Sequence, residues 1–376
     1  MTRSSLAAAD EIVGGAEIAS GDDELWYTRC PIPTAFEVAI GTGLFDEEFG
    51  DGAVDWFALT DSADEAVHRS HFTHRKANSF RHGGNVPAIY ARAEGADTRV
   101  IGASWLRTRY TILTLPGSGI ESPADLRGAR VLVPRRPGAD IDFWSASTLG
   151  VLESALATAG LGLGDVELVD REGEEDLIPG ASDASVEARL RWTLENAARI
   201  QRDVLVPLVR GDVDAVTSQA SLSEQLRALT GARVVFDQAD HPDLIGRVNN
   251  GYPDLLTVSA GLLRDHPERV DRVVARLLQA ETWARRNRRA AFDLLGHRIQ
   301  VPGALLAATW GEDIGGHLEL TLPDTLTGVL EHQRDHLLRH GYISRGFDVA
   351  AWIDPAPLAR AREIAWAEGW LEAGDA

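Results

Sequence analysis

The middle of the chain alternates between two hydrophobic periodicities. From Pro116 onwards, short apolar runs such as residues 129–133 are followed by segments with helical spacing such as residues 147–159. Apolar runs of four to eight residues that alternate with amphipathic segments indicate strands buried on both faces. The pattern therefore predicts an α/β fold whose parallel sheets are covered by helices.

The length of the chain predicts two lobes. A chain of 376 residues exceeds the usual size of one domain. We expect residues 25–115 and 251–376 to form lobe 1, with additional helices at its C-terminal end, and residues 116–250 to form lobe 2. Residues 1–24, rich in Ala, Gly, Ser and Asp, are predicted to be a poorly ordered leader. The acidic, aperiodic residues 170–185 are a candidate lid that closes over a cleft.

The charge and cysteine content limit the classes of partner. The chain has 37 basic and 57 acidic residues, a net charge of -20, which argues against nucleic acid or an anionic membrane as the partner. An apolar run of membrane-spanning length and an export signal are both lacking. One cysteine cannot form an internal disulfide, which fits a reducing compartment. We therefore expect a cytoplasmic protein, and no sequence feature specifies its oligomeric state.

The lone cysteine, Cys30, stands where a strand-like run meets Pro31 and Pro33, which cannot continue a ladder of hydrogen bonds. Free cysteines are more often small buried hydrophobes than reactive groups. With an ordinary pKa of about 8.5, a thiol is mostly protonated near neutral pH. A working cysteine would therefore need a base or a cation nearby.

Four histidines, His68, His71, His74 and His82, lie downstream of the cysteine. Their spacing admits a metal site, but residues 72–73 favour an extended or turning segment over a helix that would align them. No carboxylate pattern completes a ligand set. We therefore expect no metal, and solvated surface positions for at least two of the four.

Arg81, Gly83 and Gly84 form a second feature of the same stretch. Arginine offers a planar fork to an anion with two oxygens, and adjacent glycines let backbone N–H groups converge on the same oxygens. An ordinary glycine turn beside a solvated arginine is the alternative.

Together these residues resemble the hydroxybiphenyl sulfinate desulfinases of dibenzothiophene desulfurisation. The resemblance depends on a cysteine followed by proline, a His-Phe-Thr triplet, and an arginine and two glycines ten to thirteen positions after that histidine: Cys30, His71, Arg81, Gly83 and Gly84. Further motifs resemble those of sulfonate-binding and thiamine-precursor-binding proteins: residues 124–128, 165–169, 211–215, 231–233 and 258–262. The resemblance implies a two-lobed fold of the type II periplasmic-binding-protein kind, each lobe a sheet flanked by helices, with the site in the cleft between them.

The resemblance also implies roles for particular residues. Cys30 and His71 would be catalytic, and Arg81 with the backbone of Gly83 and Gly84 would hold the substrate oxygens. Phe143 and Trp144 are the aromatic residues available to contact the organic part of the substrate.

The implied reaction is cofactor-free cleavage of the C–S bond of an aryl or related sulfinate with water, which releases sulfite. Cys30 would either attack sulfur or donate a proton to the carbon that loses sulfur, and the sequence leaves both routes open. The implied partner is a small anionic organosulfur compound.

Two other functions are compatible with the same residues. One is a non-catalytic binding protein for a sulfonate, a sulfinate or another small anion. The other is a related enzyme that acts on an alkyl sulfinate. Sulfite release from a panel of sulfinates discriminates among the three.

Overall fold

The structure, a computed structural model, describes residues 16–50, 54–173 and 186–371. Residues 1–15 of the expected leader and residues 174–185 of the candidate lid lie outside the described residues.

Strands and helices alternate along most of the chain. Within the described ranges the strands are β1 (Glu24–Tyr27), β2 (Asp55–Ala58), β3 (Ser79–Gly84), β4 (Thr98–Ser104), β5 (Tyr110–Thr114), β6 (Arg130–Arg135), β7 (Glu167–Glu172), β8 (Val216–Gln219), β9 (Arg233–Asp237), β10 (Asp254–Ser259) and β11 (Leu320–Thr321). The helices are α1 (Ala35–Thr42), α2 (Leu44–Phe49), α3 (Glu65–Thr73), α4 (Asn85–Ala93), α5 (Phe143–Thr158), α6 (Val186–Arg210), α7 (Ala220–Thr230), α8 (Ala260–Asp265), α9 (Pro267–Arg286), α10 (Arg288–Arg298), α11 (Gly303–Trp310), α12 (Leu326–Arg339) and α13 (Ala356–Ala367). The predicted alternation after Pro116 is confirmed as β6, α5, β7, α6, β8, α7 and β9.

Each lobe contains a sheet flanked by helices, so the two-lobed α/β fold is confirmed. In the described part of lobe 1, the strand order is β11-β4-β10-β3-β1-β2. In lobe 2, β5 lies between β8 and β9, and β6 pairs with β7. A bridge from Val131 to Ala215 links these two pieces.

The expectation of purely parallel sheets is wrong. Pairing is parallel between β1 and its neighbours β2 and β3, and between β6 and β7. In contrast, β10 is antiparallel to β3 and β4, and β5 is antiparallel to β8 and β9. The two-residue strand β11 is also antiparallel to β4. By contrast, β5 and β10 are the strands by which the chain enters a lobe from the other one. These two strands are therefore antiparallel to the neighbouring strands, which follow helical crossovers within one lobe.

The chain crosses between lobes slightly before the position expected from sequence. Because β5 pairs with strands of lobe 2, the first crossing lies in residues 105–109 and not near Leu115. The return falls between the end of β9 and the start of β10, in a stretch that includes Gly251.

Part of the expected leader is attached to lobe 1. The amide of Ile18 donates to the carbonyl of Arg75 at 2.8 Å, and the amide of Ala77 donates to the carbonyl of Ile18 at 2.9 Å. Residues from Ile18 onwards therefore add a short bridge beside Lys76, where a poorly ordered leader was expected.

The lobes share one hydrophobic core at the N-terminal end of α5. Ile141 and Ala146 of lobe 2 pack in the same buried cluster as Val86 of α4, Leu255 of β10 and Leu330 of α12. Lobe 2 has its own buried clusters on either side of β5. Among the described residues, no helix combines the length and apolar character needed to cross a bilayer.

Candidate functional site

Cys30 lies three residues beyond the end of β1, in the turn that leads to α1. The amide of Thr28 still donates to the carbonyl of Phe80 at 3.1 Å, so β1 remains tied to β3 up to that point. The thiol is buried and lies directly over Gly83: a Cβ atom at Gly83 would be 2.5 Å from Sγ of Cys30. Any residue larger than glycine at position 83 would displace the thiol.

Arg81 lies two residues before Gly83 on β3, and its guanidinium borders the same space. The Cβ position at Gly83 is 3.3 Å from Nη2 of Arg81, and Nη1 donates to the carbonyl of Gly84 at 2.7 Å. The side chain is buried, and its Nε atom has no hydrogen-bond partner among the described residues. A desolvated guanidinium with an unpaired donor is a binding group for an anion.

The charge of this guanidinium acts on three of the four histidines. His71, His74 and His82 are buried, so the expectation that at least two of the four would be solvated is wrong. The expectation of a non-helical segment at residues 72–73 is also wrong. The Asp64 side chain accepts hydrogen bonds from the amides of Ala66 and Val67 and starts α3, which continues through both residues.

The charge of Arg81 and the burial of the imidazoles keep these histidines neutral. Burial, followed by the charge of Arg81, lowers the pKa of both His71 and His82 to about 3, and lowers the pKa of His74 well below its ordinary value. Nδ1 of His71 has no hydrogen-bond partner in the described part of the chain. We call Cys30, Arg81, His71, His74 and His82 the arginine-centred cluster.

The thiol of Cys30 is protonated at neutral pH. Burial raises its pKa to about 11, although the charge of Arg81 acts in the opposite direction. The group that faces the guanidinium is therefore an S–H proton donor and not a thiolate.

Asp254, at the start of β10, also belongs to the neighbourhood of Arg81. It pairs with Gly84 in the sheet register and is 1% exposed, and its Oδ1 atom has no hydrogen-bond partner among the described residues. Burial raises its pKa to about 8, although Arg81 lowers it. Sequence reasoning missed this residue. A detectable signal is the aspartate directly before the apolar residues Leu255 and Leu256, because ionisable groups are rarely found in buried strands.

The two glycines have different surroundings. Gly83 faces the thiol, whereas a Cβ atom at Gly84 would lie 2.5 Å from Oδ1 of Asn250. Asn250 also accepts hydrogen bonds from the first two amides of α4. Its carbonyl accepts from the amide of Asn85 at 2.8 Å, and its Oδ1 accepts from the amide of Val86 at 3.0 Å. The absence of a side chain at Gly84 therefore makes room for Asn250. Oxyanion binding by both glycines stays a prediction.

The predicted aromatic residues lie where α5 meets α3. The rings of Phe143 and Phe72 are stacked with centroids 6.3 Å apart, and Phe72 directly follows His71. Trp144 contacts Phe143, with centroids 5.1 Å apart, and packs against a core cluster of lobe 2. The cavity among these three rings has a volume of about 10 Å³, enough for roughly one water molecule. Phe72 thus lies between Phe143 and His71, since its ring stacks on Phe143 and its centroid is 4.7 Å from that of His71.

A salt bridge accompanies the stacked rings. Nη2 of Arg69 on α3 donates to Oδ1 of Asp140 at 2.6 Å, and Nε donates to Oδ2 at 3.1 Å. A larger cleft of about 450 Å³ also borders Asp140 and is lined by Arg135, Arg136 and Tyr342, among others. Arg136 and Asp140 line both the small cavity and this cleft, so the contact between Phe72 and Phe143 lies at the edge of the cleft.

Comparison with known families identifies the fold. The family model described as NMT1/THI5 like matches residues 84–291, which is more than half of the chain. The chain belongs to the NMT1/THI5-like family. The matched range begins after Cys30, His71 and Arg81. Family membership therefore supports the fold but says nothing about the arginine-centred cluster.

Among curated proteins, similarity extends across nearly the whole chain. The 2'-hydroxybiphenyl-2-sulfinate desulfinases of Rhodococcus erythropolis and Rhodococcus qingshengii are each 27% identical over 365 residues, covering 91% of this chain and 94% of theirs. The resemblance to this group of desulfinases is thereby confirmed.

Among solved structures, a cysteine-to-serine variant of the desulfurization enzyme DszB in complex with biphenyl-2-sulfinic acid superposes with a TM-score of 0.68. It is 26% identical, and the match covers 92% of this chain and all of that one. The periplasmic aliphatic sulphonate binding protein SsuA from Escherichia coli superposes with a TM-score of 0.62 at 17% identity, covering 89% of this chain and 92% of that one. At that identity the likeness to SsuA concerns the fold alone.

Proposed function

We propose that this protein is a cofactor-free desulfinase that cleaves the C–S bond of an aryl or related sulfinate with water and releases sulfite. The observation that carries the proposal is the position of the Cys30 thiol, buried over Gly83 beside the guanidinium of Arg81. Similarity to named desulfinases over 91% of the chain supports it.

Binding would depend on Arg81. A sulfinate carries one negative charge on two oxygens, which a planar guanidinium can hold by two parallel hydrogen bonds. Among the described residues no carboxylate forms an ion pair with Arg81, Nε lacks a partner, and burial raises the pKa of the nearby Asp254 to about 8, which keeps it largely protonated at neutral pH. An anionic substrate would therefore satisfy a buried charge that the protein itself leaves unpaired.

The protonated state of Cys30 favours the proton-donor route over attack on sulfur. In that route the thiol proton bonds to the carbon, which keeps the electron pair of the breaking C–S bond, and sulfur dioxide leaves. The thiolate that remains lies beside Arg81, whose positive charge stabilises it. Water then adds to sulfur dioxide, giving hydrogensulfite and a proton that returns to Cys30.

His71 would orient the reacting groups as a neutral imidazole. Its pKa of about 3 makes it a proton acceptor at neutral pH, and its Nδ1 atom is unpaired among the described residues. A hydrogen bond to the thiol or to the attacking water would use this atom.

Substrate entry would require the α3–α5 contact to open. A cavity of about 10 Å³ is too small for an aryl ring. Separating Arg69 from Asp140 and Phe72 from Phe143 would join the arginine-centred cluster to the cleft of about 450 Å³. A role for residues 170–185 as a lid stays a prediction, as does a cytoplasmic location, which would keep the thiol reduced.

The test is sulfite release from a panel of aryl and alkyl sulfinates, with the corresponding sulfonates as ligands for comparison. We expect sulfite in amounts equal to the desulfinated product with at least one aryl sulfinate. Release of sulfite from alkyl sulfinates alone would show that the substrates are alkyl and not aryl sulfinates. Tight binding of sulfinates and sulfonates without any sulfite would replace it with the function of an anion-binding protein.

A further inference from the structure

A second group of ionisable side chains joins the two lobes on α5, away from Cys30. Glu153 lies ten residues after Phe143 on α5, about 15 Å along the helix axis. His336 lies in the last turn of α12, and His340 directly follows that helix. Since α12 packs in the core of lobe 1 beside α4, these contacts connect lobe 2 to lobe 1. We call Glu153, His336 and His340 the glutamate-centred cluster.

The hydrogen-bond partners of His336 require a cation. Its Nε2 atom lies 3.0 Å from the carbonyl oxygen of Ala146, and its Nδ1 atom lies 2.9 Å from Oε2 of Glu153. Both partners accept hydrogen bonds, whereas a neutral imidazole has a single N–H to donate. With the proton on Nε2, the lone pair of Nδ1 points at a carboxylate oxygen. A proton or a metal ion must lie between them.

His340 repeats this arrangement at the other carboxylate oxygen. Its Nε2 atom lies 2.9 Å from Oε1 of Glu153, and its ring centroid is 4.8 Å from that of His336. The three ligand atoms all lie within 4.8 Å of one another. Two imidazole nitrogens separated by one helical turn, together with a carboxylate from a neighbouring helix, form a common ligand set for zinc.

The surroundings of the cluster suit a metal ligand set in two respects. His336 is buried, and its hydrogen bond to the carbonyl of Ala146 selects the tautomer whose Nδ1 atom can bind a metal. Glu153 presents one carboxylate oxygen to each imidazole, Oε2 to Nδ1 of His336 and Oε1 to Nε2 of His340. Arg339 contacts the same carboxylate at 3.1 Å and can remain hydrogen-bonded to it when the other lone pairs bind metal.

We propose that Glu153, His336 and His340 bind a divalent transition-metal ion of the zinc class, with water as a further ligand, and so link lobe 2 to lobe 1. The site is structural and contains none of the residues of the arginine-centred cluster. It therefore does not depend on the proposed function, and the chemistry at Cys30 remains free of metal.

The experiment uses the full-length protein after removal of metal with a chelator. Calorimetric titration with Zn²⁺ should give one ion per chain with submicromolar affinity, and the melting temperature should rise with added Zn²⁺. Co²⁺ should produce the visible absorption of a four-coordinate site, whereas Mg²⁺ should neither bind nor stabilise. Failure of Zn²⁺ to bind, or binding without stabilisation, would overturn the proposal and leave a proton between His336 and Glu153.

Variants assign the ion to these residues. His340→Gln and Glu153→Gln should each weaken Zn²⁺ binding by at least about 100-fold, since a ligand is lost. His332→Gln is the matched control because His332 lies on the same helix one turn before His336 and outside the cluster. Equal weakening by His332→Gln, or unchanged binding by His340→Gln, would assign the ion to the exposed side of α12 and contradict an interlobe site. Should Glu153→Gln not fold, His340→Gln alone decides, since its side chain is partly exposed.

Discussion

The two clusters of histidines differ in the sign of the charge that they surround. In the arginine-centred cluster burial and a nearby buried cation lower the pKa values of the imidazoles. In the glutamate-centred cluster they lie against a carboxylate and share it with Arg339. The same residue type is therefore a neutral proton acceptor in one place and part of a cation-binding group in the other. The partner, and not the histidine, decides the role.

The largest effect is expected from Cys30→Ser in the arginine-centred cluster. Sulfite release should fall by more than about 10³-fold because a hydroxyl is a much weaker proton donor than a thiol. Sulfinate affinity, measured by calorimetry, should stay within about threefold of the unaltered protein because Arg81 is intact. A serine variant that still turns over sulfinate would remove the thiol from the mechanism.

Arg81→Met should remove the cation that defines this cluster. Sulfinate affinity should fall by about 100-fold or more. The pKa values of His71 and His82, followed by NMR, should rise from about 3, yet stay below the ordinary value because burial is the larger cause of the shift. Arg127→Met, at an exposed position, is the control. Unchanged pKa values of His71 and His82 in the Arg81 variant would contradict the claim that the charge of Arg81 distinguishes this cluster from the glutamate-centred one.

Gly83→Ala tests the contact between the glycine and the thiol. The new Cβ atom would lie 2.5 Å from Sγ of Cys30, so the sulfur must move. Displacing a reacting group by about 1 Å can reduce the rate about 100-fold. Gly328→Ala on α12 has no neighbouring atom within 4 Å and should leave sulfite release unchanged. Full activity in Gly83→Ala would show that the thiol need not lie over this residue.

His71→Gln and His340→Gln compare the clusters directly. We expect sulfite release to fall tenfold to about 100-fold in the first variant, because its neutral imidazole would orient the reacting groups. The second should stay within about twofold, because His340 lies outside the arginine-centred cluster. Both rates are measured at a temperature where each variant is folded. Equal losses would contradict the separation of chemical and structural histidines.

The smallest effect is a pH-dependent difference in stability caused by Glu153→Gln. The pKa of Glu153 in the folded protein, about 2, is below its ordinary value of 4.5. The ionised carboxylate therefore stabilises the folded protein fully at pH values above about 4.5. This contribution, on the order of 1 kcal/mol, should disappear as the pH falls from about 4.5 towards 2. Urea unfolding of the two metal-free proteins at several pH values should therefore show their stabilities converging in acid. A constant difference across that range would exclude ionised Glu153 as the source.

Local sequence patterns predicted the order of the elements well. The predicted alternation after Pro116 appears in the structure as β6, α5, β7, α6, β8, α7 and β9. Strand direction was not accessible in this way. The antiparallel placement of β5 and β10 depends on the path of the chain between lobes, which apolar periodicity does not encode.

The candidate site was only partly accessible from the sequence. Cys30, Arg81 and Gly83 were selected by residue type and by resemblance, and the structure places their atoms around one space. The role of Asp64 as the residue that starts α3 and the position of Asp254 were both missed, although each carries a local signal. No local pattern shows that Gly83 faces the thiol while Gly84 faces Asn250, because Asn250 is distant in sequence.

The sequence by itself determined the elements, the family resemblance and the presence of a thiol, a guanidinium and several imidazoles in one stretch. Hydrogen bonding and hydrophobic periodicity act over a few residues, so a linear pattern is sufficient for these features. Tertiary structure alone decided which imidazoles are neutral, which carboxylate is protonated and which helix of lobe 1 contacts Glu153. Those properties depend on burial and on charges within a few ångströms, contributed by residues that can be more than a hundred positions apart.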